Sequence, residues 1–136
     1  MASLCITLTE RLTVDLIDRM ADLSGLADLF EIRGDLVTDL DLLTILRVRT
    51  KPLIFTARSA SEGGKMKDDD PKRHAFLHEA VRRGYDYVDV EYRSGFFDII
   101  TEKAGKGLIV SFHDMTGTPP DLDTLYDGMC KTGADI

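Results

Sequence analysis

The sequence predicts an alternating α/β fold built on a parallel sheet, and two observations carry that expectation. Short β-rich runs recur along the chain, each followed by a segment with the apolar spacing of a helix, the pattern that βαβ units produce. Most of these runs are almost continuously apolar, as strands buried on both faces must be. They recur at intervals near the ~31 residues of one βα unit in a (β/α)8 barrel. Alternation alone does not separate such a barrel from an open, doubly wound sheet.

The first strand is expected at Leu4–Leu8, followed by a helix over Val14–Leu23. A second strand, Leu29–Arg33, leads to a helix over Leu40–Val48, where Leu42, Leu43, Leu46 and Val48 have the spacing of a helix lying on a sheet. The third strand, Pro52–Thr56, is separated from its helix, Lys72–Arg83, by a polar loop. There Asp68-Asp69-Asp70 runs into Pro71; proline suits a first helical turn, and the acids complement the positive end of the helix dipole. The fourth pair is Asp86–Glu91 and Phe97–Ala104, the fifth Leu108–Phe112 and Leu122–Lys131, and a sixth strand begins at Ala134–Ile136. Gly84, Gly107 and Gly133 each stand between a helix and the next strand, where a left-handed C-cap is wanted. The first strand continues Thr7-Leu8-Thr9-Glu10-Arg11, with no Gly-rich phosphate loop, so a dinucleotide site is not expected there.

Composition narrows the function classes. The 136 residues are 43% apolar and 30% charged, enough for one domain with a core and too apolar for a disordered chain. A net charge of −7 argues against a nucleic-acid partner. It also requires that any anionic ligand be held by a local cluster of Arg or Lys. Cys5 and Cys130 lie far apart in apolar surroundings and are read as reduced, buried thiols of a cytoplasmic protein. The opening MASLCITLTERL has no basic region leading into an apolar stretch, so no signal peptide is expected. No apolar run reaches the ~18 residues of a membrane span. His74 and His78 stand four apart on a surface helix with no Glu between them, so neither a metal site nor a cofactor is expected.

In barrels, reactive groups sit at the C-terminal ends of strands, and those ends are polar here. The second ends Glu31-Ile32-Arg33-Gly34-Asp35, with Glu31 and Arg33 on one pleat face. An ion pair between these two across a barrel layer is the plainest structural reading. The third continues Thr56-Ala57-Arg58-Ser59-Ala60-Ser61-Glu62-Gly63-Gly64, bringing a second arginine to the same level. Asp89 and Glu91 share a face of the fourth, and His113 closes the fifth. Histidine is the side chain best matched to proton transfer near neutral pH, and Glu62 on the neighbouring loop could orient it.

The series Glu-Ile-Arg-x-Asp, Phe-Thr-x-Arg-x-x-x-Glu-Gly-Gly, Tyr-Val-Asp-Val-Glu, Val-Ser-x-His-Asp and Gly-Ala-Asp-Ile resembles type I 3-dehydroquinate dehydratase, from the first strand to the last residue. It is also similar to the dehydratase half of bifunctional dehydratase–shikimate dehydrogenase chains. The resemblance implies a (β/α)8 barrel of the TIM type, represented here by about five βα units as its N-terminal part, residues 1–136. It implies a Schiff-base lyase of the shikimate pathway that converts 3-dehydroquinate to 3-dehydroshikimate. His113 is then the acid/base and Glu62 its partner, while Glu31, Arg33 and Arg58 bind the substrate and Asp89 supports them from behind. Phe112 departs from the family, which more often has a polar residue before the histidine. The imine-forming lysine would follow Gly-Ala-Asp-Ile directly, beyond Ile136. Lys51, Lys103 and Lys106 precede strands and Lys131 ends a helix, while Lys65 and Lys67 stand in a polar loop where nothing activates an amine. The chain alone is therefore expected to be inactive. It is expected to be a homo-oligomer or to be completed by a C-terminal segment, with no membrane partner. The alternative is a non-catalytic, self-associating half-barrel or regulatory ligand-binding fragment.

Overall fold

The computed structural model describes residues 2–136. The strands Cys5–Leu8 (β1), Leu29–Arg33 (β2), Leu53–Thr56 (β3), Tyr87–Glu91 (β4) and Leu108–Ser111 (β5) alternate with the helices Thr13–Leu23 (α1), Leu42–Val48 (α2), Pro71–Arg83 (α3), Phe97–Lys103 (α4) and Leu122–Cys130 (α5). All pairings are parallel, in the order β1-β2-β3-β4-β5. A doubly wound sheet reverses its order at a switch point. Here every strand adds beside the previous one, and successive helices from α1 to α4 touch each other. That is the winding of a barrel wall.

The pleat sorts the side chains. Phe30, Ile32, Phe55, Val88, Val90 and Leu108 are buried against the helices, where they meet Leu16, Met20, Ile45, Leu77 and Ile99 in one core. Each such side chain contributes about 1.5–3 kcal/mol on burial, so this layer supplies most of the stability. The alternate residues face the barrel interior. Leu29, Ile54, Tyr87 and Ile136 line an open space of about 290 Å³ at its floor, and the residues above them are polar.

A capping device repeats along the N-terminal edge of the sheet. The Leu4 N–H donates to Asp28 at 2.7 Å, the Leu53 N–H to Asp86 at 2.9 Å, and the N–H groups of Gly107 and Leu108 to Asp135 at 2.8 Å. In each case an aspartate just before one strand satisfies the free amide that opens the strand beside it. The run at 134–136, expected as a sixth strand, carries no strand assignment but already bonds like one. The Ile136 N–H donates to Leu108 O at 3.2 Å and the Ile136 carbonyl accepts from the Val110 N–H at 3.1 Å, which pairs Ile136 with Ile109.

Two expectations need correction. Cys5 and Cys130 are exposed free thiols. Cys5 points into the interior from β1, an edge strand with no neighbour on one side, and α5 fully buries only Leu125. Of the three glycines expected as C-caps, Gly84 alone caps a helix, at φ 80°, while Gly107 at φ 91° opens β5. A Cβ at Gly84 would meet open space, whereas one at Gly107 would collide with the Asp86 carbonyl. Gly84→Ala is therefore expected to cost about 1 kcal/mol in urea unfolding. Gly107→Ala is expected to cost about 3 kcal/mol, because the backbone must also move.

Candidate active site

Strands β2 to β5 run in one direction, so the ionisable groups at their C-terminal ends collect at one mouth of the wall. Glu31 sits between two hydroxyls, with Thr7 Oγ1 donating at 2.7 Å and Thr56 Oγ1 at 2.8 Å. Arg33 does not pair with it. The Arg33 Nε and Nη2 donate to the two oxygens of Asp35, both at 2.9 Å. The expected Glu31–Arg33 ion pair is thus replaced by a fork-to-fork pair two residues along the chain, the geometry a guanidinium prefers. The Asp35 carboxylate is fully shielded, and it also accepts the N–H groups of Arg58 at 3.3 Å and Lys65 at 3.1 Å.

Arg58 ties three strands together. Its Nη2 donates to Asp89 Oδ2 at 2.8 Å and its Nη1 to Ser111 Oγ at 2.7 Å, while Ser111 Oγ donates to Asp89 Oδ1 at 2.5 Å. Burial pushes the Asp89 carboxyl up, and the Arg58 charge and the hydrogen bond from Ser111 oppose that rise. Beside this network, Glu62 Oε2 accepts both the backbone N–H and Nδ1 of His113, each at 3.1 Å. With Glu62 ionised, its carboxylate only accepts, which puts a proton on Nδ1. Burial pushes the Glu62 carboxyl up; the hydrogen bond from the His113 ring opposes this, and the nearby Glu91 charge adds to it.

The structure therefore brings Glu31, Arg33, Arg58, Glu62, Asp89 and His113 to one end of the sheet. Sequence reasoning assigned no role to Asp35, Glu91, Ser111 or Arg73. Asp35 had a signal, since it is an acid only two residues after Arg33. Arg73 had none: on sequence it is one more polar residue of an amphipathic helix. Phe112, which departs from the family pattern, lies under the Arg93 guanidinium at 4.6 Å. Both line a cleft of about 280 Å³ that also borders Glu62 and His113. A wider cleft, about 470 Å³, lies at the far end of α3 between Ala75 and Arg83, away from every strand end of interest. Lys103 is buried and donates to Tyr85 O at 2.8 Å, at the opposite end of the wall. Among the described residues no set of three or more His, Cys, Asp or Glu is placed to hold a metal ion, and no helix is long and apolar enough to cross a membrane.

A singly wound parallel wall with its ionisable groups gathered at the C-terminal strand ends defines a (β/α)8-barrel protein. More narrowly, the chain belongs to the type I 3-dehydroquinase family, whose model matches residues 4–136. It is 32% identical to 3-dehydroquinate dehydratase of Methanothrix thermoacetophila, over 81% of this chain and 49% of that protein. It is 42% identical to the chloroplastic bifunctional 3-dehydroquinate dehydratase/shikimate dehydrogenase of Arabidopsis thaliana, over 81% of this chain and 20% of the relative. The solved 3-dehydroquinate dehydratase of Enterococcus faecalis superposes with a TM-score of 0.83 at 25% identity, covering 98% of this chain and 63% of that one. The chain thus spans about half the length of the single-function curated relatives it matches.

Proposed function

We propose that this chain forms the first five βα units of a barrel that dehydrates 3-dehydroquinate to 3-dehydroshikimate through an imine. The observation that carries the reading is the Glu62–His113 pair at the mouth, beside the Arg58–Asp89–Ser111 network. In the proposed reaction a lysine condenses with the C3 ketone of the substrate and releases water. His113 Nε2 takes the C2 proton, and the electron pair moves into the imine. The imidazolium, paired with Glu62, then protonates the C1 hydroxyl as it leaves, and hydrolysis frees the amine and the product. Glu31, Arg33 and Arg58 orient the ring hydroxyls, with Asp89 holding Arg58 in place.

Register refines where the lysine should stand. After the capping residues Asp28 and Asp86, the chain turns one residue inward (Leu29, Tyr87), one toward the helices (Phe30, Val88) and one inward again (Glu31, Asp89). Asp135 repeats the cap and Ile136 the first inward residue. A residue directly after Ile136 would face the helices, and the second residue after it would face the site. Borohydride reduction in the presence of 3-dehydroquinate, read by intact mass, is the test. No adduct is expected on the 136-residue chain, and one adduct per chain is expected on a barrel with a lysine at that second position. An adduct on the short chain would sink the reading. The open edge of β1 favours a second possibility, a self-associating half-barrel; sedimentation of the chain as a stable dimer, without trapping in the longer form, would support it instead.

A further inference from the structure

The loop that carries Arg58 and Glu62 runs between β3 and α3, and its hold on the wall comes from a pair of residues outside the site. Arg73, in the first turn of α3, is the largest fully buried side chain of the chain, at 2% exposure. Its Nε donates to Ala57 O at 3.2 Å, its Nη1 to Asp68 O at 2.9 Å and its Nη2 to Glu91 Oε2 at 2.5 Å. The Phe96 ring covers the guanidinium at 5.3 Å. The other oxygen of Glu91 accepts the Ser59 N–H at 2.7 Å. Arg73 and Glu91 therefore grip the loop at its first residues, Ala57 and Ser59, and again at Asp68 near its end. Each grip is a hydrogen bond to backbone, so it fixes the path of the chain rather than one side chain.

We infer that Arg73 and Glu91 are positioning residues, which act through this loop to hold the Glu62 carboxylate on His113 Nδ1 and so keep Nε2 as the unprotonated ring nitrogen. The inference rests on the reading of His113 as the proton carrier. Both are buried, and their side-chain hydrogen bonds run to the loop and to each other. The charges matter as well as the shape. Glu91 lies 3.7 Å from Arg58 and Arg58 3.8 Å from Glu62, so the four groups alternate in sign from Arg73 inward. A lysine at position 73 would keep the charge but could not form three bonds in a fixed fork. Glutamine at position 91 could still accept from Ser59 but would lose the charge-assisted bond to Arg73.

Nitrogen-15 spectra of the His113 ring in this 136-residue chain report which ring nitrogen is protonated. The wild-type chain is expected to favour Nδ1–H by at least about tenfold, the weight of one hydrogen bond to a carboxylate. In Arg73→Lys the preference is expected to fall below about threefold, with far-UV circular dichroism and the core methyl signals of Ile45 and Leu125 unchanged. Glu91→Gln is expected to shift it in the same direction, and serves if Arg73→Lys does not fold. A wild-type preference retained in a folded variant would overturn the inference, as would Nε2–H in the parent chain. The outcome is separable from the proposed activity. A closed barrel without turnover would remove the dehydratase reading and leave the ring measurement standing.

Discussion

Replacing His113 by Ala in a barrel that contains the imine lysine is expected to lower turnover by roughly 10²–10⁴-fold, the usual weight of a positioned acid/base, while imine formation persists. The expectation follows from where the side chain stands. Its backbone N–H and Nδ1 are both held by Glu62 Oε2, which leaves Nε2 as the one ring atom available to exchange a proton. The ring itself is about 44% exposed at the mouth, so a ligand can reach it without displacing the core. Glu62→Gln should be milder, roughly tenfold, because the amide oxygen can still accept from Nδ1 while its charge no longer supports the imidazolium. Two measurements on the same samples separate the roles: appearance of the conjugated enone for turnover, and borohydride trapping for the imine. Undiminished turnover in His113→Ala would remove it from the mechanism. Loss of trapping together with turnover would move its role to imine formation.

Much of the fold was legible because parallel strands covered on both faces need apolar residues at nearly every position. The run Leu29–Arg33 predicts a strand, and β2 has the same bounds. Helix ends followed from local chemistry, as at α3, where Asp70 accepts the Lys72 N–H and Pro71 occupies the first turn. The winding was not legible, since the choice between barrel and doubly wound sheet depends on strand order, which no local pattern encodes. The candidate site was half legible for a related reason. Glu31 and Asp89 could be assigned to the site because they take inward positions on their strands, and Arg58 and His113 because they follow theirs. Their partners could not, because pairing depends on register and loop path. Arg33 turned to Asp35 rather than Glu31, and Glu31 took hydroxyls from the strands on either side. Arg73 shows the limit most clearly: its donors reach a loop, a strand end and a backbone turn, and these converge only after α3 docks. The exposure of Cys5 has the same cause, since a residue on β1 is covered only if another strand lies beside it.

Asp35 is the buried carboxylate on which most of this arrangement depends, and Asp35→Ala is expected to destabilise the chain by about 3–5 kcal/mol, the range for breaking a buried ion pair. The carboxylate accepts four hydrogen bonds from three residues: two from the Arg33 guanidinium, one from the Arg58 amide and one from the Lys65 amide. Removing it leaves two amides without an acceptor, at about 1–3 kcal/mol for each one that water cannot reach. The Arg33 side chain is about one-fifth exposed, so water can relieve part of the cost there, which keeps the estimate from rising further. Asp35→Asn retains the volume and one acceptor oxygen but no charge, and should lose about half as much. Urea unfolding followed by circular dichroism measures both, with an unchanged slope required for the comparison. A loss below about 1 kcal/mol for Asp35→Ala would mean that ordered water replaces the carboxylate. The same change tests how the site is assembled. Asp35 joins the segment after β2 to two points of the loop that carries Arg58 and Glu62, so its removal should loosen that loop from the side opposite Arg73. The exchange protection of the Arg58 and Lys65 amides should then fall by more than that of Val88 or Val90, whose bonds lie inside the sheet.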